Sequence, residues 1–115
     1  RLYVADTGRI FRDDPSHIRA FDVGGDGALG GGDVFHDVTP GKADGFRCDT
    51  DGNIWTSAAD GVHCIDPAGA LLGKILVPEL VSNVCFGDRA KKRLFITATT
   101  SVYAIVLNRS GAQVP

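Results

Sequence analysis

The residues able to do chemistry are few, and most of them sit where the chain must turn. Asp44 stands in Ala43-Asp44-Gly45 at the start of an apolar run, and an Asp-Gly pair by itself says only that a turn opens there. Asp49-Thr50-Asp51-Gly52-Asn53 and Asp13-Asp14 gather the oxygens a hard cation takes. The first group lacks the glutamate that ends an EF-hand loop and lies in a hairpin, so it reads as a turn. His17, His36 and His63 have no mutual metal spacing and read as sheet-surface histidines. Cys48, Cys64 and Cys85 are odd in number and lack the close pairs of a zinc site. They read as reduced thiols buried in strands. There is no Gly-x-Ser-x-Gly elbow, and no helix follows the glycines of Gly24 to Gly32, so no phosphate cradle is expected.

Composition narrows the classes further. At 115 residues the chain has the length of one domain. With 43% hydrophobic and 23% charged residues it is neither disordered nor membrane-spanning. Its apolar runs are only a few residues long, too short for a spanning helix or a signal segment. A net charge of −2 gives no electrostatic case for nucleic acid. Reduced thiols favour a reducing compartment, the cytoplasm ahead of the periplasm. The chain begins at Arg1 inside a strand pattern, has no methionine, and stops just after Ser110-Gly111, where a further turn would start. A piece of something larger is expected.

The elements that must position these side chains are short strands. Leu2 to Ala5, His17 to Asp22, Asp33 to Val38, Phe46 to Cys48, Ile54 to Ala58, Val62 to Ile65, Leu71 to Val77, Asn83 to Phe86, Leu94 to Ala98 and Val102 to Leu107 all read so. Asp51-Gly52 and Asp60-Gly61 supply tight turns. Gly24 to Gly32 reads as a turn or flexible tip, and only Pro78 to Val81 could hold a helical turn. Ile54-Trp55-Thr56-Ser57-Ala58 aligns with Leu94-Phe95-Ile96-Thr97-Ala98, and Val62-His63-Cys64-Ile65 with Val102-Tyr103-Ala104-Ile105, both at a shift of 40 residues. Leu2 to Asp6 and His17 to Phe21 form a looser third copy, stretched by Arg9 to Ser16.

Four-stranded units recurring at this period are the mark of propeller blades. The expected fold is therefore all-β: a partial β-propeller of about two and a half antiparallel four-stranded blades, where a closed ring needs roughly four to eight. The division expected is a partial blade over 1–43, a complete blade over 44–77 and a partial blade over 78–115. Such a fan leaves open strand edges and uncovered faces, with Val84 and Phe86 among the residues exposed. The rest of a propeller, or a second copy of the chain, is the expected partner.

The segments LYVADTG, HIRAFDV, ADGFRCDTDGNIWTSAADGVHCIDPAGALLGKILVPELVSNVCFGD and RLFITATTSVYAI resemble the gluconolactonase/regucalcin (senescence marker protein) family over nearly the whole chain. The resemblance implies a six-bladed propeller with a divalent metal, calcium first and zinc or manganese as alternatives, at the top of the central channel. It implies hydrolysis of sugar lactones or related cyclic esters, and it places this chain in the C-terminal part, roughly blades four to six.

Family members hold the metal with a Glu, two Asn and an Asp in a Pro-Asp-Gly segment. Asp44 matches that Asp, with Ala43 in place of the proline, and the resemblance makes it both metal ligand and base. The other three ligands would lie upstream of Arg1. Ser82 and Asn83 occupy in the last blade the place of Asp44 and Gly45 in the complete one, so either could face the channel and touch substrate, with a turn-capping Asn as the alternative. Arg47, alternating with Phe46 and Cys48, is a further candidate for the channel, the alternative being a salt-bridged or solvated arginine. The loops before Asp44 and Asn83, those at Ala59-Asp60 and Thr99-Thr100, and the Arg9–Ser16 insertion are expected on one face. The reading is a fragment of a metal-dependent lactonase acting on a small-molecule lactone, inactive alone. The alternative is a truncated, non-catalytic propeller fragment that self-associates or binds a partner.

Overall fold

A computed structural model describes residues 1–8 and 16–113. The chain is all-β, with ten strands in three antiparallel sheets. The first sheet joins β1 (Leu2–Asp6), β2 (His17–Val23) and β3 (Leu29–Asp37). The second joins β4 (Phe46–Cys48), β5 (Ile54–Ala58), β6 (Gly61–Ile65) and β7 (Leu71–Leu76). The third joins β8 (Val81–Gly87), β9 (Arg93–Ala98) and β10 (Val102–Val106). In each, strands neighbouring in sequence pair in space, as short hairpin connections require.

The second sheet lies between the other two, which explains its burial. Every residue of β5 and β6 is buried, as expected of strands covered on both faces rather than one. One face, with Ile54, Ala58 and Ile65, packs with Ile18 and Val38 of the first sheet and its flank. Tyr3 and Phe35 meet there edge to face at 5.1 Å. The other face, with Trp55, Val62 and Cys64, packs on Val84, Phe86, Leu94 and Ile96 of the third sheet. The Trp55 and Phe86 rings cross at 89°. Each fully buried aliphatic side chain contributes about 1.5–3 kcal/mol, so these two seams hold the sheets in order.

Strand parity corrects one expectation. Val84 and Phe86 are buried against the second sheet. The outer face of the third sheet carries instead the residues between them in the pleat: Phe95, Val102 at 71% exposure and Val106 at 64%. The first sheet likewise exposes Leu2, Val4 and Val34. Two apolar sheet faces and the β7 edge, with Leu76 74% exposed, are a self-association hazard. At micromolar concentration the 115-residue chain is expected to sediment as oligomers. A monomer that unfolds cooperatively under those conditions would overturn this.

Other expectations are adjusted. Pro78 to Leu80 make bends with no helical turn, and Val81 already begins β8. Pro78 removes a backbone donor, and the Glu79 side chain is committed to the hairpin opposite it. The glycine tract is a turn only over residues 24–28, and Gly30 to Gly32 lie within β3. The expectation for Arg9–Ser16 falls outside the described residues except at Ser16, which is buried and whose carbonyl accepts the Val38 N–H at 3.1 Å.

The cysteines are all free, but Cys85 is exposed, not buried. It shares the outer face of the third sheet with Phe95, opposite in the ladder. Burial pushes the Cys48 thiol up, with help from the Asp49 charge. Burial and then Asp49 push Cys64 up to about 11. Thiolate is the reactive form, so Cys85 should react first and Cys64 last in the folded chain. The unfolded chain, titrated without reductant, should show three thiols. A count of one would mean a disulfide.

Candidate functional site

The start of β4 is built on a serine that sequence reading passed over. Ser57 is fully buried in β5. Its Oγ accepts the N–H of Asp44 at 2.9 Å and of Gly45 at 3.1 Å. Its own N–H donates to the Gly45 carbonyl at 2.9 Å. The Asp44 N–H also approaches the Lys42 carbonyl at 3.1 Å. Three bonds to one residue thus fix the backbone at Asp44 and Gly45. The Asp44 residue itself is exposed, and among the described residues its carboxylate has no hydrogen-bond or ion-pair partner. A rigid backbone carrying an uncommitted carboxylate is suited to binding or proton transfer. The only sequence signal for Ser57 is a hydroxyl in a fully buried strand, one position beyond the register pair Phe46–Thr56.

Gly45 brings the third sheet to this point. A Cβ on Gly45 would lie 2.2 Å from Asn83 Oδ1, so no larger residue fits while Asn83 stays in place. Asn83 Oδ1 accepts the Val84 N–H at 2.8 Å, beside the register shift between Val81 and Asn83. Such an irregularity re-aims a side chain. Asn83 and Arg47 then line one groove of about 190 Å³ with Val84, Cys85, Phe95 and Thr97.

Of the four residues singled out from sequence, the structure places Arg47 on β4 and Asn83 on the facing β8, with Asp44 in the bend that leads into β4. Ser82 is set apart. Its Oγ lies 2.9 Å from Thr97 Oγ1 and 3.2 Å from the Thr97 carbonyl, tying β8 to β9. It does not line the groove, its hydroxyl being taken up by Thr97.

The loops at this end of the sheets are tied in pairs. The Ala59 N–H donates to the Pro40 carbonyl at 2.9 Å. Glu79 accepts from the Tyr103 hydroxyl at 2.6 Å and from the Thr100 N–H at 3.1 Å, and also from the Thr100 hydroxyl. The Thr100 and Tyr103 hydrogen bonds hold the Glu79 carboxyl down to about 2. The Arg9–Ser16 placement on this face lies outside the described residues apart from Ser16.

His63 is not a surface histidine: it is 1% exposed, because β6 is covered on both sides. Its Nε2 lies 2.6 Å from Asp60 Oδ1, and Lys74 Nζ lies 2.7 Å from Asp60 Oδ2. The carboxylate can only accept, so Nε2 carries a proton. Partial burial works to raise the Asp60 carboxyl, but the bonds from Lys74 and His63 outweigh it and hold it below its usual range. His36 Nδ1 lies 2.9 Å from the Gly69 carbonyl. Both histidines are thereby engaged in holding loops.

The acidic turn after β4 is structural, as expected, though more deeply. Asp49 is 2% exposed. Its carboxylate accepts from the N–H groups of Asp51 and Asn53, from Asn53 Nδ2 and from Trp55 Nε1, all at 2.8–3.0 Å. Asp51 instead pairs at the surface with Arg109 at 2.9 Å. No group of three or more potential metal ligands occurs among the described residues.

Comparisons with known proteins bear on the family of the chain. The sequence model of the SMP-30/gluconolactonase/LRE-like region matches residues 1–100. A gluconolactonase of Zymomonas mobilis subsp. mobilis is 33% identical over 75 residues, 64% of this chain and 21% of that protein. Among solved structures, an X-ray structure of a protein put forward as a gluconolactonase superposes with a TM-score of 0.83 at 38% identity. It covers 96% of this chain and 36% of its own. A gluconolactonase from Xanthomonas campestris, described as important in glucose secondary metabolic pathways, gives a TM-score of 0.80 at 37% identity. That match covers 91% of this chain and 33% of its own. The chain thus spans about a fifth to a third of the length of these relatives. With 100 of its residues matched by the family model, the chain belongs to the SMP-30/gluconolactonase/LRE-like family.

Proposed function

We propose that this chain is part of a metal-dependent lactonase, built as a β-propeller to which its three sheets contribute blades, that hydrolyses sugar lactones or related cyclic esters. The observation that carries the reading is the exposed, uncommitted Asp44 carboxylate on a backbone fixed by Ser57, beside the groove of Arg47 and Asn83. Asp44 is the proton acceptor. It takes a proton from the water whose oxygen attacks the lactone carbonyl carbon, and returns it to the ring oxygen as the C–O bond breaks. Water is consumed and an open-chain acid results. Asn83 and Arg47 hold the sugar's polar groups and orient the ring.

Asp44 also fits one corner of a divalent-cation site: an oxygen donor, exposed and without a competing partner. It is one ligand where calcium takes six to eight oxygens, so the remaining ligands belong to chain beyond these residues. When bound, the cation supplies positive charge that polarises the lactone carbonyl. Calcium is the first candidate, with zinc and manganese behind it.

A longer polypeptide containing this chain is expected to open gluconolactone at a rate that chelation removes and added calcium restores. The check is acid release followed at constant pH. Full activity in chelator would overturn the metal dependence, and no hydrolysis of any lactone would overturn the reaction. The second reading, a non-catalytic fragment that self-associates, is favoured by the exposed apolar faces of the first and third sheets. The sedimentation experiment above tests it.

A further inference from the structure

Four lysine or arginine side chains among the described residues are held in ion pairs with carboxylates. Arg1 meets Asp22, Arg19 meets Asp6, Arg109 meets Asp51, and Lys74 meets Asp60. Arg47 is different. It lies half-buried on β4, on the strand face turned to β8, while Phe46 and Cys48 pack toward the first sheet. Its Nη1 donates to the adjacent Phe46 carbonyl at 2.7 Å. Its Nε is buried without a partner. No carboxylate lies within ion-pair distance of it among the described residues. A guanidinium offers five N–H donors in a planar fork, and Arg47 lines a groove that also presents Asn83 and Thr97. A partly buried cation with no counter-charge is costly, and a ligand that brings the missing charge removes that cost.

Resting on the lactonase reading above, we propose that the substrate is a sugar lactone carrying a carboxylate or phosphate group, and that Arg47 receives that group. Asp44 and Arg47 are three residues apart across the bend that leads into β4, so their backbones are separated by at most about 11 Å. The reacting carbonyl sits near Asp44 at the rim, and the anionic substituent reaches into the groove at the far end of the sugar. Arg47 is then a specificity-determining residue, because its fork suits the paired oxygens of either anion.

The test uses the full-length protein with three probes: gluconolactone, its phosphorylated counterpart, and glucarolactone, which bears a carboxylate. The preferred probe should exceed gluconolactone in kcat/KM, and which of the two anions leads identifies the substituent. In Arg47→Gln the ratio of anionic to neutral kcat/KM should fall about ten- to a hundred-fold, the loss typical of one charge-assisted hydrogen bond. Arg47→Lys should recover part of it, and thermal unfolding of both variants shows whether they fold. A ratio that Arg47→Gln leaves unchanged, or a parent that prefers the neutral lactone, overturns the inference and leaves the lactonase reading standing. Failure to hydrolyse any of the three overturns both.

Discussion

Asp44→Asn in the full-length protein is expected to lower lactone hydrolysis about a hundred- to ten-thousand-fold, the loss typical of a positioned base. The substitution is nearly isosteric, and the contacts that fix this position run through the backbone to Ser57. The fold should therefore persist while the charge and the base are lost. Asn retains one ligating oxygen, so excess calcium should refill the site without restoring the rate. Asp51→Asn is the control. It removes one surface carboxylate from Arg109 and should change neither rate nor calcium affinity appreciably. The 115-residue chain alone should bind calcium poorly, since it offers no cluster of ligands among its described residues. Rates by acid release and affinities by calorimetry decide the matter. Near-parental activity in Asp44→Asn, or tight calcium binding by the fragment, would show the assignment to be wrong.

Asp49→Ala should be the most damaging change to stability in the acidic turn. The carboxylate receives four hydrogen bonds, and the substitution orphans donors on buried Asn53 and on the indole of Trp55. Each unsatisfied buried donor costs about 1–3 kcal/mol. The expected loss is about 3 kcal/mol or more, read as a lower urea midpoint with the slope unchanged. Trp55 packs against Phe86 across the seam, so the damage should extend to the contact between the second and third sheets. Asp51→Asn should lose less than about 1 kcal/mol. If Asp49→Ala unfolds at the parental midpoint, the network does not hold the turn.

These two carboxylates show what a sequence can and cannot display. The turn itself was legible, because Asp51-Gly52 carries the chemistry that a tight reversal needs. The division of labour was not, since both aspartates belong to one turn signal and only the fold decides that Asp49 turns in to Asn53 and Trp55 while Asp51 turns out to Arg109. The same limit explains Val84 and Phe86. Their alternation marks them as a set on one face, but only the position of the second sheet decides that this face is covered. His63 carried no signal of burial because β6 is buried on both faces and lacks alternation. The 40-residue repeat gave the strand order. The repeat could also place Asn83 near Gly45, but not the register shift beside it. The close approach at Gly45 depends on a partner 38 residues away, which no local pattern records.

The tail after β10 closes the molecule back on itself. The Thr50 N–H donates to the Ser110 carbonyl at 2.8 Å, the Ala112 N–H to the Cys48 carbonyl at 3.0 Å, and Gly111 bridges Asp49. A Cβ on Gly111 would fall 2.4 Å from the Phe86 Cβ, so the strap lies flat on the seam. Its two ends, residues 49 and 111, are separated by 111 − 49 = 62 positions. At about 5–20 residues per second, a ribosome needs roughly 3–12 seconds to cover that interval. Hairpins form in microseconds. During synthesis the second sheet is therefore complete long before its strap exists, and the Cys48 carbonyl and the Thr50 N–H wait for their partners. Residues 110–112 fasten the third sheet to the second, so the nascent chain is open to misassociation in the seconds before they arrive.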